Sequence, residues 1–214
     1  MKLLIKASKS NHISNTVNIK FGVKTPCDHK EAMMFDAENG NTNWEDADLL
    51  ELKQIYNFDP FDSLGPVNSA CIPLVHNKIQ LHIIYIYKQD GRYKSRMLTS
   101  GKMTGPNLDT YYSSVISLCS MRTVVFLYEL NNIETCKGDT SNVNLNARTT
   151  ENILFSAGPE FATFVHAGHF LLIKTALYSL NSSSARFHSR LSDSLTSLGF
   201  IPSVGVCDIW MHNE

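Results

Sequence analysis

Ile79-Gln80-Leu81-His82-Ile83-Ile84-Tyr85-Ile86-Tyr87, then Asp90-Gly91, then Tyr93-Lys94-Ser95-Arg96-Met97-Leu98 is the stretch on which the fold turns. Both flanks are rich in β-branched and aromatic residues, and Asp-Gly supplies a turn, so the segment predicts an antiparallel hairpin. The hairpin is basic. Lys78, Lys88, Arg92, Lys94, Arg96 and Lys102 face only Asp90, a local charge of +5 in a chain of net charge −1. A solvated edge hairpin whose lysines discourage strand pairing with other chains accounts for such a pattern. A surface that meets phosphates accounts for it as well.

Upstream the charge reverses. From Asp28 to Asp62, ten carboxylates face Lys30 and Lys53, a local −8. Two helices fit this acidic stretch. Asp28 is placed to cap the first, with Glu31 three residues on, and Gly40 stands beyond its end. Thr42 or Asn43 is placed to cap the second, which carries Trp44, Ala47 and Ile55 on an apolar side. The acids read as a solvated helix face. Pro60, Gly65 and Pro66 break the pattern. Residues 1–20 show no sustained period and read as a poorly ordered lead-in.

Downstream, Ala70 to Val75 is a strand candidate. Met121 to Leu130 reads as a buried helix, because few of its positions are polar. Ile133 to Asp139 reads as a short strand ending in an acid. Ile153-Leu154-Phe155 and Phe170-Leu171-Leu172-Ile173 are further strands. Ser182 to Leu198 is a helix with Phe187, Leu191, Leu195 and Leu198 on one face, capped by Ser182 or Ser183 and ended by Gly199. Cys207 to Met211 is a last strand. Strands and helices in this order predict an α+β fold, with a sheet built near 133–139 and 207–211 and the helix at 182–198 over one sheet face. The organisation expected is a lead-in at 1–20, an acidic helical segment at 21–66, a hairpin region at 67–120 and a remainder at 121–214.

Composition narrows the class. The chain has 214 residues, 43% apolar and 18% charged, with 22 serines and 18 asparagines that favour caps and turns. That is enough apolar content for a core and too little net positive charge for nucleic-acid binding by bulk charge. No apolar run approaches the ~18 residues that span a bilayer, and Leu3-Leu4-Ile5 is too short for a secretion signal. Five cysteines at irregular spacing contain no CxxC, which predicts reduced thiols in an intracellular, cytoplasmic or nuclear, compartment. His166 with His169 lacks a third metal ligand nearby in sequence. Gly101 to Gly105 lacks the end of a phosphate loop. Ser192, Asp193 and His188 share a helix, where no strained elbow exposes the serine.

Five blocks in order resemble one family. Gly40-Asn41-Thr42-Asn43-Trp44-Glu45-Asp46-Ala47 resembles the NGNTxWxDA opening of copia-type reverse transcriptase regions. Asp90 to Leu98 is similar to their DGRxKARLV segment. Tyr111 to Leu118 with Met121-Arg122-Thr123 resembles YSSVVSLxSMR. Gly138 to Ala147 resembles DVxxAFLNG, and Leu172 to Tyr178, with Leu180 and Arg186-Phe187-His188, resembles LxKSLYGLKxxxRxW. Together they cover residues 21–214.

The resemblance implies an RNA-directed DNA polymerase region of a retrotransposon polyprotein, with the fingers and an incomplete palm of a right-hand polymerase fold. It implies RNA or DNA template-primer, deoxynucleotides and the rest of the polyprotein as partners, without a membrane. Phosphoryl transfer of this kind uses two Mg²⁺ ions held by carboxylates. Asp139 matches one of those catalytic, metal-binding carboxylates. Lys94 and Arg96 match residues that clamp the triphosphate. Asn144, Ser179 and Asn181 match positions near the incoming nucleotide, and here the chain departs from the family. Asn144 replaces an aromatic residue that excludes ribonucleotides. Ser179 replaces the glycine of LYGL, and Asn181 replaces the lysine that follows. The paired aspartates of the YVDD block lie beyond the stretch matching Cys207-Asp208-Ile209-Trp210-Met211, so the expectation is a chain that does not polymerise alone, with an unpaired strand edge and poor solubility. A non-enzymatic relic or interaction module that binds nucleic acid weakly is the alternative expectation.

Overall fold

The computed structural model describes residues 18–66, 76–100, 113–134 and 138–212. Among these the chain is a mixture of α and β. β1 (Asn18–Lys20) and β2 (Val23–Thr25) pair antiparallel across Phe21-Gly22, so the last residues of the expected lead-in form a strand. α1 (His29–Asn39) begins at Asp28, whose carboxylate accepts the Glu31 N–H at 2.8 Å. It ends at Gly40, in the left-handed region at φ 64°.

α2 (Asn43–Tyr56) follows Thr42, whose hydroxyl does not cap it. Asp36, buried in α1, does so instead. Its carboxylate accepts the N–H groups of Trp44 at 3.0 Å and Glu45 at 2.9 Å, placing a negative charge at the positive end of α2. The second helix is thus capped through tertiary structure by the first.

β5 (Leu81–Tyr87) and β6 (Tyr93–Thr99) form the expected hairpin, from the Leu81–Thr99 pair to the Tyr87–Tyr93 pair. In the turn, the Asp90 carboxylate accepts from the Arg92 guanidinium through Nε at 2.9 Å and Nη2 at 2.6 Å, which ties that cation to its own loop. α2 packs across β6 and joins two clusters. Trp44 meets Tyr85 and Tyr93 edge-on, at 5.5 and 4.6 Å between ring centres. Leu52 and Ile55, one end further, enter the main core.

That main core lies on a four-stranded sheet of order β3-β8-β7-β4, made of β3 (Phe61–Pro66), β4 (Asn77–Lys78), β7 (Ile153–Ser156) and β8 (His169–Ile173). β7 pairs with β8 and β8 with β3 antiparallel, while β4 runs parallel to β7. Ile153, Phe155, Leu171 and Ile173 point into one apolar cluster with Phe61, Phe161 and Leu177, and Leu154 and Phe170 on the alternate positions are buried as well, so the two central strands are covered on both faces.

Four expectations are corrected. Among the described residues the four-stranded sheet takes nothing from 133–139 or 207–211, and 135–137 lie outside those described. The described residues 133, 134, 138 and 139 carry no strand, because Asn132 at φ 50° turns the chain after the helix. Among the described residues β10 (Trp210–His212) pairs with β9 (Phe200–Pro202) alone. α4 (Ser183–Ser197) lies against the Val143–Asn146 turn and β9 rather than over the sheet. Its expected caps do other work: Ser182 donates to the buried Glu151, and the Ser183 hydroxyl donates to the Leu177 carbonyl at 2.6 Å. Finally, α3 (Leu118–Asn131), expected to be buried, has no buried residue at all. The strand expected at Ala70 to Val75 lies wholly on residues outside those described.

Candidate functional site

Lys94 and Arg96 stand two apart on β6, and alternation along a strand puts both on one face. They line a cleft of about 520 Å³ together with Gln54 of α2, Asp139, Asn142 and Tyr178. Asp139 reaches the cleft from irregular chain, not from a strand end, and is the acid among the described residues that line it. The structure thus brings three of the expected site residues together.

Tyr178 organises the cleft. Its ring lies under the Arg96 guanidinium, 4.7 Å from carbon to ring centre, a cation–π contact that orients the cation without neutralising it. Its hydroxyl donates to the Asn142 side-chain oxygen at 2.8 Å, and its carbonyl accepts the Thr99 N–H at 3.1 Å. Desolvation holds the Tyr178 hydroxyl above the usual tyrosine range. β6, the Val143–Asn146 turn and the loop before α4 are therefore stitched together at one residue. Lys94 has no ion-pair partner among the described residues.

Behind the basic strand lies an acid that composition conceals. Glu51 is buried in α2 and accepts the Met97 N–H at 3.3 Å. Desolvation raises its pKa, opposed by the Met97 bond and the fields of Lys94 and Arg96. Asp48, also buried, accepts from the Tyr85 hydroxyl at 2.8 Å and pairs with His29 Nδ1 at 2.9 Å. The sequence signal was available: Asp48 and Glu51 fall four and seven residues after Trp44, on the stripe that carries Leu52 and Ile55.

The other expected residues lie outside the cleft lining. Asn144 is half-buried in the Val143–Asn146 turn, and Asn181 is exposed ahead of α4. Ser179, exposed beside Tyr178, is held at φ 69°. That is the left-handed region glycine enters without cost and a side chain enters at about 1–2 kcal/mol. The backbone here keeps a glycine's conformation with a serine in place.

Two magnesium ions do not fit this donor set. Among the described residues no three His, Cys, Asp or Glu side chains gather as metal ligands, and the cleft offers Asp139 as one carboxylate where two ions need several.

A Ser–His–Asp contact does form, from residues other than Ser192 and Asp193. Ser114 Oγ lies 3.1 Å from His188 Nε2 and donates to Asp208 Oδ1 at 2.6 Å, while His188 Nε2 is 3.0 Å from the same Asp208 oxygen. Both partners use one ring nitrogen. A catalytic relay needs the acid on one nitrogen and the serine on the other, so this trio is a clamp joining the lead into α3, α4 and the β9–β10 loop. The Ser114 hydroxyl and His188 hold the Asp208 carboxyl below its ordinary range.

Over 123 residues the chain is 28% identical to a "Retrovirus-related Pol polyprotein from transposon RE1" of Arabidopsis thaliana. The match takes in 55% of this chain and 8% of that polyprotein, so the chain corresponds to a small part of its relative's length. No family model matches the chain, and no solved structure does. The similarity is to a region of a retrotransposon polyprotein. No helix of the described residues is long and apolar enough to cross a membrane.

Proposed function

We propose that the chain is a reverse-transcriptase-like region of a copia-type retrotransposon polyprotein, comprising fingers and part of a palm, whose cleft receives the phosphates of a template-primer or deoxynucleotide. The observation that carries this reading is the convergence of Lys94 and Arg96 with Asp139 in one cleft. Lys94 supplies a point charge, and Arg96, held over the Tyr178 ring, presents its guanidinium N–H groups. Buried Glu51 beneath the strand offsets part of their mutual repulsion in the absence of phosphate. The cleft binds and orients; with one carboxylate it does not assemble the two-ion chemistry of polymerisation, and the isolated chain is inactive in primer extension.

The test is fluorescence anisotropy with a labelled template-primer at several salt concentrations. Replacing Lys94 and Arg96 together by Ala reduces the salt slope by about 2 and weakens binding at least tenfold at low salt. An unchanged slope removes the cleft as a phosphate site. Nucleotide incorporation by the chain alone, lost in Asp139→Ala, would overturn the inactive reading.

A further inference from the structure

The turn between β1 and β2 consists of Phe21 and Gly22, both at positive φ, 50° and 82°. Two-residue hairpin turns with both centres left-handed are the ordinary place of Asn-Gly. An aromatic side chain is strained there, where Asn is tolerated far better. Phe21 is also 67% exposed and belongs to neither apolar cluster. It costs the turn strain and adds nothing to the core, and strain of this kind gathers where a side chain is held out for use. Phe21 forms one side of a cleft of about 510 Å³ with Lys20, Ile86, Tyr87, Lys88 and Gln89. β2 lies against β5, which brings the turn to the end of the basic hairpin. Tyr87 is braced edge-on by Tyr93, at 5.0 Å between ring centres, and Tyr93 by Trp44. The lining holds two cations and no carboxylate, and Asp90, the nearest acid in sequence, is taken by Arg92. Neither lysine has an ion-pair partner among the described residues.

We propose that this cleft is a stacking site for single-stranded nucleic acid, in which a base lies against Phe21 and the phosphates on either side of it meet Lys20 and Lys88. A base offers its π-face to a protein only when its strand is unpaired, and the phosphodiester chain sets an anion on each side of it. Cation, ring and cation in the cleft match that repeat. An uncharged apolar ligand would leave both lysines unused. A bilayer of anionic lipid would meet the exposed Phe21 but offers no planar ring to the recess beside Tyr87. Lys88 also lines a cleft with Lys94 between α2 and the hairpin, so cations continue from here toward Arg96. The site stands on its own residues, apart from the phosphate reading of the Lys94 and Arg96 cleft.

The experiment is fluorescence anisotropy on the full chain with a labelled oligothymidylate of about 12 nucleotides, beside a blunt duplex and vesicles of anionic lipid. Phe21→Asn suits the left-handed turn and removes the ring. It is expected to weaken single-strand binding about fivefold or more with the salt slope unchanged, since the ring carries no charge. Lys20→Gln with Lys88→Gln lowers that slope by about 1.4, the loss of two phosphate contacts. Phe21→Trp keeps the affinity, and its added emission is quenched by the oligonucleotide, also in the Lys94→Ala, Arg96→Ala background. In that background the quench reports this site alone, so either site can fail while the other stands. Full affinity in Phe21→Asn, an equal loss on the blunt duplex, no quench in Phe21→Trp, or vesicle binding that needs Phe21 while single-strand binding does not, would each overturn the inference.

Discussion

Helices α2 and α3 are fourteen residues each, and their burial runs against their composition. α2 carries Glu45, Asp46, Asp48 and Glu51, yet six of its residues are buried. α3 carries Arg122 and Glu129 among a majority of apolar residues, and none is buried. α2 has one stripe that meets a ready surface, the inner face of the β5–β6 hairpin. Trp44, Ala47, Leu52 and Ile55 occupy that stripe, and the acids caught on it are satisfied by Tyr85, His29 and the Met97 N–H. Mean apolarity thus says that a helix needs cover, while the arrangement of neighbours decides whether it gets it.

The sharpest way to break the contrast is at Trp44, which is 2% exposed. Trp44→Ala is expected to cost about 3–5 kcal/mol in urea unfolding, since it removes the ring that holds α2 to Tyr85 and Tyr93. A loss under about 1 kcal/mol would show that the two parts are held elsewhere.

Next in size is Asp48→Ala, at about 2–4 kcal/mol, because the Tyr85 hydroxyl and His29 then lose their common acceptor in a buried place. The pair also carries a pH signature. The hydrogen bond to Asp48 raises the pKa of His29 against the opposing effect of burial. A raised folded value means that protonated His29 stabilises the fold. That contribution is complete below the unfolded histidine value of about 6.5 and is lost as pH climbs through the higher folded value. Stability measured from pH 6 upward is expected to fall in the native chain and to fall less in His29→Gln; parallel slopes would remove the linkage.

Ser179→Gly should act in the opposite direction. Relief of the φ 69° backbone, less the extra entropy of glycine in the unfolded chain, gives a net gain of about 0.5–1 kcal/mol. A loss would mean that the serine side chain makes a contribution larger than its strain. The smallest effect belongs to α3. Leu127→Ser, at a position 50% exposed, is expected to change unfolding of the dilute chain by under about 0.5 kcal/mol. A cost like that of Trp44→Ala would show α3 to be packed after all.

The basic hairpin, both acidic helices with the Asp28 and Gly40 ends, the two core strands at 153–156 and 169–173 and the span of α4 were legible in the chain itself. These features are local: a turn dipeptide, a cap three residues from its donor, a period of two or 3.6. Ser179 was legible too as a departure from a glycine, though only the backbone shows the left-handed conformation it must hold. Tertiary structure alone decided the rest. Capping of α2 by Asp36, the pairing of β3 with β8 more than a hundred residues away, and the meeting of Lys94, Arg96 and Asp139 all join distant segments. So does the clamp of Ser114, His188 and Asp208, which no spacing along the chain foretells. The misreading of α3 has the same origin. Its sequence states a need for burial, and burial is a relation between surfaces that one helix cannot carry in its own residues.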